Sequence, residues 1–282
     1  MDTITLMQKE TSHLKQREKE FFDHKYYNFL NQHVHNISFF RNYASKTFDK
    51  FLKFIPPECI SNKSILDIGC NDGRYLGYFH NVGSKFTVGM DLSFHAMKRG
   101  KTQNLIPVDN KLIPSDKNLV VQSDIEQPTF KNNSFDTIFC IRSLHHFNLK
   151  NEFISNCHDL LRKHGFLILI DPNGSNPFRK FGDFIGRKYG IMSSDEQSKD
   201  IFEIIAFLKN HSFNIISVNY FNILSEPILQ ISEIMINKNK SLFHMLTLFL
   251  FISYQFEFLF EKIILKLYPK MSWSYILIAQ KN

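Results

Sequence analysis

Ser64-Ile-Leu-Asp-Ile-Gly-Cys-Asn-Asp-Gly-Arg74 decides the reading of this chain. An apolar run with one acid inside it, Asp67, breaks into two glycines, Gly69 and Gly73, separated by small or polar residues. Tyr75, Leu76, Tyr78 and Phe79 then follow at a spacing that suits a helix. The pattern predicts a buried strand, a tight turn and a helix starting near Asp72. Glycine lets the backbone turn left-handed and approach a ligand without a Cβ in the way. The first N–H groups of the helix would point back at whatever sits there. Such a turn holds a nucleotide-like cofactor at the carboxyl edge of a parallel sheet.

Two nucleotide motifs are excluded by their missing residues. A dinucleotide fingerprint needs Gly-x-Gly-x-x-Gly, but Asn71 stands at the middle position and no last glycine follows. A P-loop needs Gly-Lys-Ser/Thr, and Gly73 is followed by Arg74-Tyr75. Downstream, Lys85-Phe-Thr-Val-Gly-Met-Asp91 reads as a second strand ending in an acid. Asp91 follows Asp67 by 24 residues, near the offset at which a carboxylate meets ribose hydroxyls. Ser93 is placed to cap a helix through His95, Ala96 and Met97.

The stretch from Asp67 to Gly73 resembles motif I of the class I S-adenosylmethionine-dependent methyltransferases, acid-x-Gly-x-Gly-x-Gly. Asn71 replaces the usual middle glycine, and asparagine is the side chain that best tolerates left-handed backbone. Further segments follow in the family's order. Asn118-Leu-Val-Val-Gln-Ser leads to Asp124-Ile125, where the resemblance implies an acid for the adenine amino group and an apolar contact for the ring. Asn132 to Ile141 reads as a turn and a fourth strand, followed by Arg142-Ser-Leu-His-His-Phe147, similar to motif IV and its sequel. Leu149 to His164 is amphipathic, with Gly165 as its expected end, and Phe166-Leu-Ile-Leu-Ile-Asp171 is a fifth strand. Here His164 stands where the family usually has a first glycine.

Strands alternating with helical stretches imply a Rossmann-like, doubly wound, mostly parallel sheet with helices on both faces. The resemblance implies seven strands, preceded by N-terminal helices and interrupted by a C-terminal apolar helical insertion. Residues 1–60 are expected to form a helical cap, in two pieces from Glu18 and from Ile37, the second stopped by Pro56-Pro57. Residues 61–282 are expected to form the catalytic domain, with a core at 64–171, a lid or acceptor region at 172–212 and the insertion at about 226–268. Residues 104–117, with two prolines and no period, read as a loop. Ser198–His211 reads as a helix, Phe213–Phe221 as a strand and Ser272–Lys281 as the last strand.

The resemblance implies S-adenosylmethionine as cofactor, held by Asp67, Gly69, Cys70, Asn71, Gly73, Asp91, Leu92, Asp124 and Ile125. His145 and His146, after the fourth strand, are the candidate general bases for a hydroxyl acceptor. Asp171-Pro-Asn-Gly looks like a segment of small-molecule and glycolipid methyltransferases. The implied acceptor is therefore a small molecule, a glycan or a lipid-linked molecule. A tRNA base is the alternative, less favoured because no RNA-binding motif or concentrated basic run accompanies the domain. A non-catalytic binding subunit is the other alternative.

Composition sets the remaining bounds. The chain has 282 residues, 43% of them apolar, enough for one large α/β domain with a cap. A net charge of +7 admits nucleic acid or an anionic membrane as partner, but lysine-rich enzymes reach it too. Cys59, Cys70, Cys140 and Cys157 form no Cys-x-x-Cys pair, and the opening residues lack the pattern of a signal peptide. A reducing cytoplasm is expected, with no metal site, because the histidines are scattered and His145-His146 are adjacent.

The segment from Leu242 to Tyr268 stands apart. Its uncharged part, 242–256, would reach only about 22 Å as a helix, short of a bilayer core of about 30 Å. It is expected to be one helix outside the core, serving a hydrophobic acceptor or a peripheral membrane contact through 242–268. Glu257 and Glu261, and Lys262 and Lys266, stack as charges on one half, while Phe249, Ile252, Phe256, Phe260, Ile263 and Leu267 share the other.

Overall fold

The structure, a computed structural model, describes residues 3–21, 23, 46–102, 107–108, 111–112, 118–147, 150–189, 192–193, 196, 198–235 and 239–282. Helix α1 (Thr3–Glu20) comes first, and residues 46–52 are helical. Then follow β1 (Ser64–Ile68), α2 (Leu76–Asn81), β2 (Phe86–Asp91), α3 (Phe94–Thr102) and β3 (Asn118–Gln122). Next are β4 (Phe135–Ile141), α4 (Lys150–Leu160), β5 (Leu161–Pro172), α5 (Arg179–Lys188) and α6 (Ile201–Asn210). The chain closes with β6 (Phe213–Phe221), α7 (Ser225–Met235), α8 (Lys240–Leu267) and β7 (Ser274–Lys281).

These strands form one seven-stranded sheet in the order β3-β2-β1-β4-β5-β7-β6. The first five run parallel, and β7 is antiparallel to both β5 and β6. A parallel sheet must be covered on both faces, which is why its strands are apolar on both sides. Successive side chains accordingly enter different cores. Ile138, Cys140, Leu167 and Leu169 pack beneath α4 and α6. Phe139, Ile141, Ile168 and Ile170 meet Phe48, Phe51 and Phe79 on the other face.

The glycine turn forms as the sequence predicts, with one difference in where the helix begins. Gly69, Asn71 and Gly73 all have positive φ, at 72°, 53° and 75°. Left-handed residues cannot belong to a right-handed helix. Helix α2 therefore starts at Leu76 rather than near Asp72. Ser93 caps α3 as expected, its hydroxyl accepting the Ala96 N–H at 3.0 Å.

Other boundaries move for identifiable reasons. Helix α1 lies ahead of the expected first helix. Its Lys, Arg, Gln and Glu residues have high helix propensity but no apolar period to betray it. Residues 24–45, including most of the first expected N-terminal piece and half of the second, lie outside the described residues. Within the expected loop 104–117, Pro107–Val108 pairs with Lys111–Leu112 as a short ribbon. Helix α4 ends at Leu160, not His164, and the strand begins at once. The left-handed residue is His164 (φ 60°), so Gly165 is no helix cap. A Cβ at Gly165 would lie 2.9 Å from the Arg162 carbonyl oxygen and 3.0 Å from that of Asp136.

Helix α8 is a single helix, and it faces the opposite way from an ordinary surface helix. Glu257 and Glu261 are 3% and 5% exposed, whereas Phe256 and Phe260 are each 57% exposed. Buried Lys50, in the 46–52 helical stretch, donates to Glu261 at 2.8 Å and lies 3.7 Å from Glu257. The same acids accept backbone N–H groups of Asn222, Ile223, Leu224 and Ser225 at the β6–α7 junction. Removing one partner of a buried ion cluster strands the other charges. Lys50→Met is expected to cost ~3–5 kcal/mol of unfolding free energy, measured by urea denaturation. A loss under about 1 kcal/mol would mean that the cluster does not hold α8 in place.

Candidate cofactor and acceptor site

A cavity of about 330 Å³ opens at the carboxyl edge of the parallel strands, where α/β sheets place ligands. Each strand end contributes. Gly69, Cys70 and Asn71 come from the turn after β1; Asp91 and Leu92 close β2; Asp124 and Ile125 follow β3; Ser143, His145 and His146 follow β4. Lys15 and Glu18 of α1 also line it, as do Arg179, Glu196 and Leu229 from the C-terminal half.

Asp91 ties two of these ends together. Its carboxylate accepts the Asn71 N–H at 2.7 Å and the Ser93 N–H at 2.8 Å. Burial raises the Asp91 carboxyl above the usual range, while these two N–H groups oppose the shift. Asp67 and Gly73 are not among the lining residues. Asp67 lies beneath the turn because β1 directs alternate side chains into the interior, and its Oδ2 has no hydrogen-bond partner. Burial and then the Asp91 charge push its carboxyl well above the ordinary value. Gly73 serves the turn by its positive φ. Gly69 is required on packing grounds too: a Cβ there would come within 2.5 Å of Ser143 Cβ and Oγ.

The two histidines have different surroundings. His145 Nδ1 lies 2.7 Å from Asp171 Oδ1, at the end of β5, and its Nε2 lies 3.8 Å from Glu196 Oε2. A carboxylate on Nδ1 fixes the tautomer and leaves Nε2 with a lone pair. His146 Nδ1 instead lies 3.3 Å from Glu18 Oε2 of α1. Burial opposes charging of His146, but the Glu18 hydrogen bond and the Glu196 charge raise it overall. The reciprocal holds for Glu18. Burial would raise its carboxyl, yet His146 and Ser193 keep it below the usual value. One ligand atom each from His145, His146 and Glu196 lies within 4.8 Å of the others, a set that could hold a cation.

Helix α1 roofs the cavity by charge pairing. Lys15 donates to Asp124 at 2.8 Å and also pairs with Glu126. Burial would lower the Lys15 pKa, but these two carboxylates hold it above its ordinary value. Asp23, just beyond α1, accepts from the Ser93 hydroxyl.

The Methyltransferase domain family matches residues 66–169. These residues hold the turn, four strand ends and the histidine pair. The chain carries a class I S-adenosylmethionine-dependent methyltransferase domain. A solved S-adenosylmethionine-dependent methyltransferase from Mesorhizobium loti shares its fold, with a TM-score of 0.54 and 13% identity over 84% of this chain and 98% of that one. A tRNA U34 carboxymethyltransferase from Alteromonas mediterranea is 28% identical over 144 residues, 49% of this chain and 40% of that protein. The one from Campylobacter curvus is 30% identical over 101 residues, 36% of this chain and 32% of that protein. The chain thus spans no more than about two fifths of the length of the curated relatives it matches.

S-adenosylmethionine is the cofactor of this methyltransferase family, and the cavity fits it. An orphaned carboxylate oxygen on Asp67 lies under the turn, and Asp91 lines the cavity. A ribose is the group that the Asp91 carboxylate would hold from the cavity wall. Sequence reading missed Lys15, Glu18 and Glu196, which lie far from any motif. Asp171 had a usable signal, since it ends a parallel strand as Asp91 does.

The roof gives a direct prediction. Lys15→Met combined with Glu18→Gln should release α1, seen as faster amide hydrogen exchange across Thr3–Glu20 with exchange in the sheet unchanged. Unchanged α1 protection would mean that these pairs do not seat it.

Proposed function

We propose that the protein transfers a methyl group from S-adenosylmethionine to a hydroxyl of a small-molecule, glycan or lipid-linked acceptor. The observation that carries this reading is the buried His145–Asp171 pair, with His145 lining the cavity together with Gly69 and Asn71 of the glycine turn. In this reading Asp91 accepts hydrogen bonds from the ribose, Asp124 meets the adenine amino group and Ile125 packs on the ring. The bound cofactor supplies an electrophilic methyl group on a sulfonium. Methyl transfer at carbon needs alignment and exclusion of water more than it needs strong acid–base chemistry. The α1 roof supplies the exclusion. His145 Nε2 takes the proton from the acceptor hydroxyl, and Asp171 stabilises the imidazolium that results. His146, beside Glu18 of α1, holds the roof rather than accepting a proton.

A second reading, an RNA acceptor, is favoured by the names of the curated relatives. The two readings separate in one experiment. The purified enzyme is incubated with methyl-labelled cofactor and a cell lysate, and the label is traced into lipid, glycan and RNA fractions. Label in lipid or glycan supports the leading reading, whereas label confined to RNA replaces it.

Two variants test the residues. Asp91→Ala should weaken cofactor binding by ~1–3 kcal/mol in calorimetry, and unchanged affinity would remove its assignment to the ribose. His145→Asn should lower turnover by ~10²–10⁴ with cofactor affinity unchanged. A parallel loss of both would mean that His145 shapes the cofactor pocket instead.

A further inference from the structure

We infer that helices α5 and α8 together form a docking surface for an anionic lipid bilayer, with both helices lying on the membrane. An amphipathic surface helix normally turns its apolar stripe to the core. On α8 that arrangement is reversed. Phe249, Ile252, Phe256, Phe260, Ile263 and Leu267 are all exposed, at spacings of three and four along the helix. Rotation to bury them would strip Glu257 and Glu261 from Lys50 and from the β6–α7 backbone. The buried acids therefore fix the outward face.

Helix α5 repeats the arrangement. Phe181 and Phe184 are 69% and 60% exposed, while Asp183 is buried and paired with Arg179 at 2.6 Å. Its other described charges, Lys180, Arg187 and Lys188, are exposed. Among the described residues, the exposed charges on these two helices are all basic, because every acid on them points inward. Phenylalanines on one face flanked by lysine and arginine are the composition of a helix that lies in the headgroup region of an anionic membrane. A spanning role is not available: among the described residues, no helix is long and apolar enough to cross a membrane.

The segments that lead into α5 and out of α8 are tied together. Asn176, three residues ahead of α5, donates to the Met271 and Ser272 carbonyls just after α8, at 3.1 and 2.9 Å. Helix α8 also packs on α7, where Leu250 meets Leu229, and Leu229 lines the cavity together with Arg179 of α5. The surface therefore borders the acceptor side of the site. A second copy of the chain is a poorer occupant, since symmetric pairing would bring Lys180, Arg187, Lys188 and Lys266 towards one another. A bilayer complements both the charge and the apolar face. The inference deepens the reading of a lipid-linked acceptor, but membrane docking requires no methyl transfer.

The test is flotation of the full chain with vesicles of equal parts phosphatidylglycerol and phosphatidylcholine, against vesicles of phosphatidylcholine alone. The expected result is binding to the anionic vesicles, at least about tenfold weaker binding to the neutral ones, and weakening at high salt. Phe256→Asp with Phe260→Asp, and separately Phe181→Asp with Phe184→Asp, should each reduce flotation by about tenfold or more while melting temperature and cofactor affinity are kept. Three outcomes overturn the inference. These are no flotation of the wild type, flotation that both paired variants leave intact, and unfolding of both variants, which would make the faces core. A dimer in sedimentation that the same substitutions disperse, without flotation, would assign the surface to a second copy. Loss of catalysis with flotation intact would count against the methyl-transfer reading alone.

Discussion

Carboxylates gathered at the carboxyl ends of the parallel strands, in a place with little water, are the constraint around which this molecule is organised. Asp67, Asp91 and Asp171 each end or nearly end a strand, and Asp124 follows another. Removing a carboxylate from water is costly unless hydrogen bonds or positive charge compensate it. The structure compensates three of them, each differently. Asp91 takes two backbone N–H groups, Asp171 takes His145, and Asp124 takes Lys15. Asp67 keeps an orphaned oxygen and a strongly raised pKa. The acids that line the cavity itself, among them Glu18, Asp91, Asp124 and Glu196, favour a cationic ligand. A sulfonium cofactor with a free ammonium group is such a ligand.

The N-terminal helix follows from the same charge distribution. Helix α1 is too polar to bury an apolar stripe, so packing alone would not hold it. It is seated by Lys15 on Asp124 and Glu126, and by Glu18 on His146 and Ser193. The roof thus depends on the contact between Glu18 and His146 and on carboxylates that the cofactor would also contact. This leaves the two histidines with different tasks despite their adjacency. One is oriented by Asp171 toward the cavity, and the other is spent on the roof.

Helix α8 applies the reverse logic on the outside of the molecule. Two glutamates, held by Lys50 and by main-chain N–H groups, fix the rotation of a helix whose exposed side is apolar. Burial of ions does little for stability in general, because desolvation offsets much of the attraction. What it supplies here is orientation: only one rotational setting satisfies those acids.

The sequence by itself determined the succession of strands and helices, the turn and most of the expected site residues that line the cavity. These are encoded locally: short apolar runs for buried strands, glycine or asparagine where φ must be positive, and acids at strand ends. Gly69, Asn71, Asp91, Asp124 and Ile125 were legible for that reason. Only the tertiary structure decided which residues converge from a distance. Glu196 is brought to His145 by the fold, and Lys15 reaches Asp124 across 109 residues. No local pattern marks either one, since a lone Lys or Glu usually belongs to a solvated surface. The same holds for α8. Its sequence shows two halves, one charged and one apolar, but cannot say which half faces in. Lys50, 211 residues from Glu261, makes the side of Glu257 and Glu261 the buried one, because a buried ammonium needs carboxylates more than Phe256 and Phe260 need cover.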